Sequence, residues 1–172
     1  MSEQAITLRP IGLIRTPFRE PAGTPIQGAL ADTCGTVEVA PEFEAGLTGI
    51  EGFSHLILLY AFHRSRADVP LIQKPYLEET ERGVFAIRSP LRPNPIGFTV
   101  VRLLERQGRV LRVRGVDMLD ATPLLDIKPY VARFDAHPEA SAGWLEPHLE
   151  RAGRHKADGR FHGGGGEEGG AK

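Results

Sequence analysis

Apolar residues in this chain come in short runs rather than at helical spacing. Thr36–Val39, Leu56–Phe62, Val84–Ile87, Phe98–Leu104, Val110–Val113 and Val116–Leu119 are rich in β-branched and aromatic side chains. Gly and Pro punctuate most of the gaps, so the pattern predicts many short strands. Gln107-Gly108 separates two of the runs and predicts a hairpin turn there. A short helix is predicted over Pro138–Leu149, where Trp144, Leu145 and Leu149 share a face, although Pro147 opposes it. The fold class expected is mainly β: a closed or nearly closed antiparallel barrel in a single domain, residues 1–150, with a few short helices. From Arg151 the composition changes, and Gly163–Gly170 holds six glycines around Glu167 and Glu168. Residues 151–172 are therefore expected to form a disordered tail.

Composition narrows the class further. A chain of 172 residues, 41% apolar and 25% charged, is an ordinary globular domain by size and make-up. Its net charge of −1 hides a marked asymmetry. Residues 82–133 carry 10 basic against 4 acidic side chains, whereas residues 1–81 carry 6 against 11. A polyanionic partner is thus compatible with a near-neutral total. Cys34 stands alone, which excludes a disulfide framework and a Cys-rich zinc site. The longest apolar run, Leu56–Phe62, is too short to span a bilayer as a helix, and the N-terminus lacks signal-peptide form. A cytoplasmic protein with no membrane association is expected.

Two patterns are set aside. Gly164–Gly169 satisfies G-x-G-x-x-G but follows no strand and opens no helix, so it lacks the context that aims amides at a phosphate. His148, His155 and His162 are spaced by seven, but Gly153 and Gly159 oppose the helix that would align them. No metal is expected.

Three clusters carry chemistry. Arg88-Ser89-Pro90-Leu91-Arg92-Pro93-Asn94-Pro95-Ile96-Gly97 is braced by three prolines and carries two guanidinium groups and an amide. Such a loop either grips an anion or purine edge with little entropy loss, or pairs its arginines with acids elsewhere. Asp117 to Tyr130 packs three carboxylates, a lysine and a phenol into fourteen residues. Asp120-Ala-Thr-Pro is turn chemistry, which predicts Asp117 and Asp126 on strand ends flanking a loop. These carboxylates either serve a ligand or a proton transfer, or form an Asx-turn and salt bridges. Phe53–Arg64 reads as a buried strand that leaves His63-Arg64 at a pocket rim and His55 in a structural role.

Ile11–Phe18, Gly52–Leu56, Gly83–Ser89, Arg92–Gly97 and Asp126–Tyr130, in this order and spacing, resemble the TrmO family, also called TsaA-like. The resemblance covers roughly Ile11 to Phe134. It implies a homodimeric β-barrel that binds S-adenosylmethionine near the subunit interface. The implied reaction methylates N6 of N6-threonylcarbamoyladenosine at position 37 of tRNA, so the partner expected is the anticodon loop. Carried over by motif, the cofactor residues are Gln27, Gly28, His63, Arg64, Arg88, Phe98, Asp117, Met118, Leu119 and Asp120. Arg92, Asn94, Lys128 and Tyr130 are the candidates for the modified nucleoside or the tRNA backbone, with Arg92 on the threonyl carboxylate and Tyr130 or Phe18 stacking on the base. Asp120 or Asp126 is expected to be the general base. Two positions depart from the family pattern: Ala121 replaces a common Gly, so the turn avoids positive φ or carries strain, and Arg64 replaces a Gln of some members. Long members also carry a C-terminal domain, where this sequence has its glycine-rich tail. The alternatives are a cofactor-binding sensor or partner-binding module without tRNA methylation, and a small-metabolite methyltransferase.

Overall fold

The computed structural model describes residues 6–66, 68–158 and 160–161. Eight strands alternate with short helical turns: β1 (Gly12–Arg15), β2 (Cys34–Val39), β3 (His55–Ala61), β4 (Ile72–Gln73), β5 (Arg82–Gly83), β6 (Ile96–Gln107), β7 (Val110–Arg114) and β8 (Thr122–Pro129). Six of them close an antiparallel barrel in the order β1-β2-β7-β6-β3-β8, with β8 pairing back onto β1. β4 and β5 pair with each other in the long excursion between β3 and β6. The regular helices α1 (Ala132–Asp135) and α2 (Leu149–Ala152) span four residues each.

Strand parity builds the core. Along β3, Leu56, Leu58 and Tyr60 are buried while the intervening residues are half-buried. Their inward side chains meet Ile14, Val37, Val101, Leu111 and Leu124 from the other five strands. This is the interior of a small barrel, filled by side chains rather than left open. Register shifts occur between Leu59 and Tyr60 against β8, and between Leu103 and Glu105 against β7. Such bulges supply the extra twist that closure requires.

The structure confirms the expected barrel and corrects several elements. Val84–Ile87 is not a strand: Val84–Ala86 is a 3-10 turn. Val116–Leu119 is not one either, although Val116, Met118 and Leu119 are buried, because the chain leaves the ladder at Gly115 (φ +96°) to cross the barrel end. Apolar content signalled burial there, not extended pairing. Asp126 is interior to β8 rather than at a strand end. The hairpin after β6 is present, with Gly108 at φ +59° in its two-residue loop. The expected helix over Pro138–Leu149 is a 3-10 turn, Gly143–His148, that runs into α2. Ala152 and Phe161, within the segment expected to be a tail, are buried. Gly164–Gly169 and His162 lie outside the described residues.

Candidate functional site

One end of the barrel holds a cleft of about 350 Å3. Its floor comes from the barrel itself: Tyr60 on β3, Gly97 on β6, Thr122 on β8 and the crossing segment Asp117-Met118-Leu119. Its sides are Pro21–Gln27, the rim pair His63-Arg64, and Arg88, Pro90 and Arg92 of the proline-braced loop. Five separated stretches, residues 21–27, 60–64, 88–92, 96–98 and 117–122, therefore meet at one place.

Asp117 ties them together. Its carboxylate accepts hydrogen bonds from Thr99 Oγ1 at 2.7 Å and from the Gly28 backbone N–H at 2.6 Å. The Tyr60 hydroxyl lies 3.3 Å from Asp117 Oδ1 and 3.0 Å from Thr99 Oγ1. Burial raises the Asp117 carboxyl above its ordinary value, against the pull of these donors. Burial and the neighbouring Asp117 charge also push the Tyr60 phenol well above its usual range. The network accounts for two glycines. A Cβ on Gly28 would strike the Gly115 carbonyl oxygen and come within 2.6 Å of Thr99 Cγ2, and a Cβ on Gly97 would enter the Tyr60 ring. Both positions need the close backbone approach that glycine permits.

The rim is basic and differently organised. Arg88 Nη1 donates to Gln27 Oε1 at 3.3 Å, and Arg92 Nη1 to the Ile87 carbonyl oxygen at 3.4 Å. Both partners are neutral, so two guanidinium charges face the cleft with no described carboxylate in ion-pair range. Arg64 is partly committed, donating to the Arg19 carbonyl at 2.6 Å and lying 3.9 Å from Glu20 Oε1. Partial burial and the Arg64 charge lower the His63 pKa, which keeps this imidazole neutral near pH 7. Phe98 remains 51% exposed at the mouth.

The braced loop is anchored by a buried pair that sequence reading missed. Ser89 Oγ donates to Gln73 Oε1 at 2.6 Å, and Gln73 Nε2 donates to the Leu91 carbonyl at 2.6 Å. Gln73 is the single glutamine of the excursion, and no motif marks it. Tyr60, Phe62, Thr99 and Tyr76 are further cleft or network residues that went unpredicted. For Tyr60, the available signal was a phenol among the aliphatic residues of a predicted strand.

Of the residues carried over by motif, Gln27, His63, Arg64, Arg88, Phe98, Asp117, Met118, Leu119 and Arg92 line the cleft. Gly28 lies behind it, donating to Asp117. Asp120, Asn94, Asp126, Lys128 and Tyr130 do not line it. Asp120 is held by the Thr16 N–H at 3.2 Å, in the turn that carries Ala121 at φ +59°. Asp126 and Lys128 sit on the outer face of β8, paired with each other at 2.6 Å. Tyr130 packs edge-on to His55, which fits the structural role expected for that histidine. Phe18 packs against the hydrophobic core. No group of three or more potential metal ligands occurs among the described residues.

This arrangement has known counterparts. A family model described as the tRNA-methyltransferase O N-terminal domain matches residues 13–136. The chain belongs to that family. A protein of Pyrococcus abyssi (strain GE5 / Orsay), named a probable S-adenosyl-L-methionine-binding protein, is 55% identical over 157 residues, covering 91% of this chain and 85% of the relative. The tRNA (adenine(37)-N6)-methyltransferase of Escherichia coli (strain K12) is 38% identical over 146 residues, covering 79% of this chain and 62% of the relative. The crystal structure of TrmO from Pseudomonas aeruginosa superposes with a TM-score of 0.69 at 40% identity, covering 82% of this chain and 63% of that one. The chain thus spans a little under two thirds of the latter two proteins. Every barrel strand except Gly12 of β1 falls inside the matched TrmO-family domain, and so do all the cleft residues except Ala157.

Proposed function

We propose that the chain is an S-adenosylmethionine-dependent methyltransferase acting on N6 of N6-threonylcarbamoyladenosine at position 37 of tRNA, in the cytoplasm. The observation that carries the reading is the cleft itself, where two uncompensated guanidinium groups face an exposed aromatic ring over an apolar floor. S-adenosylmethionine presents a flat base, a sulfonium cation and a carboxylate, and the residues present suit all three. Met118, Leu119 and Ile26 offer apolar surface, Phe98 offers a π face to a cation, and Arg88 offers a fork to a carboxylate. The volume lies in the range of small-molecule sites.

Bound there, the cofactor supplies an electrophilic methyl group. The work of the chain is then to align, desolvate and remove a proton. Asp117 holds the Gln27-Gly28 loop in place from below. Arg92 stands free of acids and can hold the threonyl carboxylate of the substrate. His63 is neutral and on the rim, so it can accept the N6 proton. The two aspartates expected as the base do not line the cleft of their own chain, and this makes His63 the stronger candidate within it.

A homodimer is part of the reading. On the outer face of the barrel, Ile57 pairs across the strands with Val100, and Leu59 with Phe98. Ile96, next on that face, is 41% exposed. Such an apolar wall is suited to burial against a second copy. Asp126, opposite Leu59, and Lys128, opposite Ile57, would then lie at the interface. Asp126 could serve as a base only from that position.

Mass spectrometry of nucleosides from tRNA incubated with protein and S-adenosylmethionine tests the assignment. A methyl group on the threonylcarbamoyl adenosine supports it. Cofactor binding without any methylated nucleoside would favour a sensor or binding module; the Pyrococcus abyssi relative is named only for binding S-adenosyl-L-methionine.

A further inference from the structure

We infer that the C-terminal residues 154–158, with Arg160 and Phe161, form a working wall of the ligand cleft, and that Ala157 limits the size of what the cleft admits. The segment is not a passive extension. Gly23 N–H donates to the Ala157 carbonyl and Ala157 N–H to the Thr24 carbonyl, both at 2.8 Å, with a bridge between Pro25 and Lys156. It therefore pairs with the very stretch that leads into Gln27-Gly28. Ala157 itself lines the cleft, beside Tyr76 and Thr24.

Two anchors hold the wall upright. Phe161 is buried and packs edge-on to Tyr76 with ring centroids 4.9 Å apart. Arg160 lies over the same ring at 5.2 Å and donates to the Pro75 carbonyl at 3.0 Å. On the near side, a Cβ on Gly153 would touch Leu30, in the turn that follows Gln27-Gly28. The family domain ends at residue 136, so this wall is built by sequence outside it. A ligand seated in the cleft would lie between the barrel floor and this segment, which could not open without releasing it.

The inference rests on the cleft being the S-adenosylmethionine site, and the test separates the two. Affinity of the intact chain for S-adenosylmethionine is measured by calorimetry, followed by limited trypsin digestion with and without ligand. Arg154 and Lys156 are exposed and cleavable. At about 100 times Kd, opening that requires ligand release becomes about 100-fold rarer, so cleavage after Lys156 should slow by more than tenfold. Ala157→Leu should weaken binding by about tenfold or more with an unchanged melting temperature, since the added bulk enters the cleft. Phe161→Ala should speed cleavage in the absence of ligand. Tight binding with unprotected cleavage, or an Ala157→Leu chain that binds normally, overturns the wall. An intact chain that does not bind overturns the cofactor reading, and the wall with it.

Discussion

Asp117 and Asp126 lie nine residues apart in one acidic stretch, and the barrel treats them in opposite ways. Asp117 sits where the chain crosses the barrel end, with its carboxylate satisfied by a hydroxyl, a backbone amide and a phenol. Asp126 points outward from β8 and meets only Lys128 and its own neighbour's N–H. Burial raises the Asp117 carboxyl, while the Asp126 side chain is 42% exposed to water. A carboxylate becomes architecture when the backbone converges on it. It stays an adjustable surface group when strand parity turns it outward. Candidate chemistry therefore depends on facing, which composition does not carry.

Removing the inner carboxylate should have the largest effect. Asp117→Ala leaves the Gly28 amide, Thr99 and Tyr60 without their common acceptor, and a buried network of this kind costs about 3 kcal/mol to break. Chemical denaturation should register that loss, and calorimetry should show cofactor binding abolished. A stability change under about 1 kcal/mol would show that the network is not what holds the loop. Gly28→Ala attacks the same junction sterically and should cost about 1–3 kcal/mol.

The pH dependence sharpens the contrast. A carboxyl whose folded pKa is raised contributes stability that is complete below its unfolded value and is lost as pH rises through the folded one. The stability of the wild type relative to Asp117→Asn should therefore fall as pH climbs from near the ordinary aspartate value of 3.8. Denaturation at several pH values from 4 to 7 checks this, and a flat difference would contradict the raised pKa.

Smaller effects lie further out. Ala121 sits at φ +59°, so of the two outcomes left open by its departure from the family glycine, strain is the one realised. Ala121→Gly should stabilise the chain by about 1 kcal/mol, read as a higher melting temperature. Asp126→Ala should change stability by less than about 0.5 kcal/mol, because its ion pair is exposed. Its effect on methylation decides between bases. If His63→Ala abolishes turnover and Asp126→Ala does not, the base belongs to the cleft. The reverse result would place it on the outer face, at a dimer interface.

Much of this was legible in the chain and some was not, for physical reasons. Thr36–Val39, Leu56–Phe62 and Phe98–Leu104 read as strands because β-branched and aromatic runs bounded by turn residues have few other uses. Most of β8 escaped notice because Asp120-Ala-Thr-Pro read as a turn and Asp126 as a strand end. The resemblance named nine of the residues that line the cleft, whereas Gln73, Tyr60 and Thr99 act through contacts with residues distant in the sequence. The basic band over residues 82–133 has two destinations in the fold. Arg88 and Arg92 face the cleft, but Arg102 and Arg114 stand opposite each other on the outer wall.

Closure of the barrel has a consequence in time. β1 is the first strand made, yet one of its two partners, β8, is separated from it by more than a hundred residues, with Ile14 facing Thr122 and Gly12 facing Leu124. At a synthesis rate of about 5–20 residues per second, the nascent chain carries an open edge on β1 for roughly 5–20 s. During that interval β2 can pair with β1, but the sheet cannot seal. The finished protein has no free barrel edge, so its exposure to misassembly is concentrated in the seconds before Thr122–Pro129 leaves the ribosome.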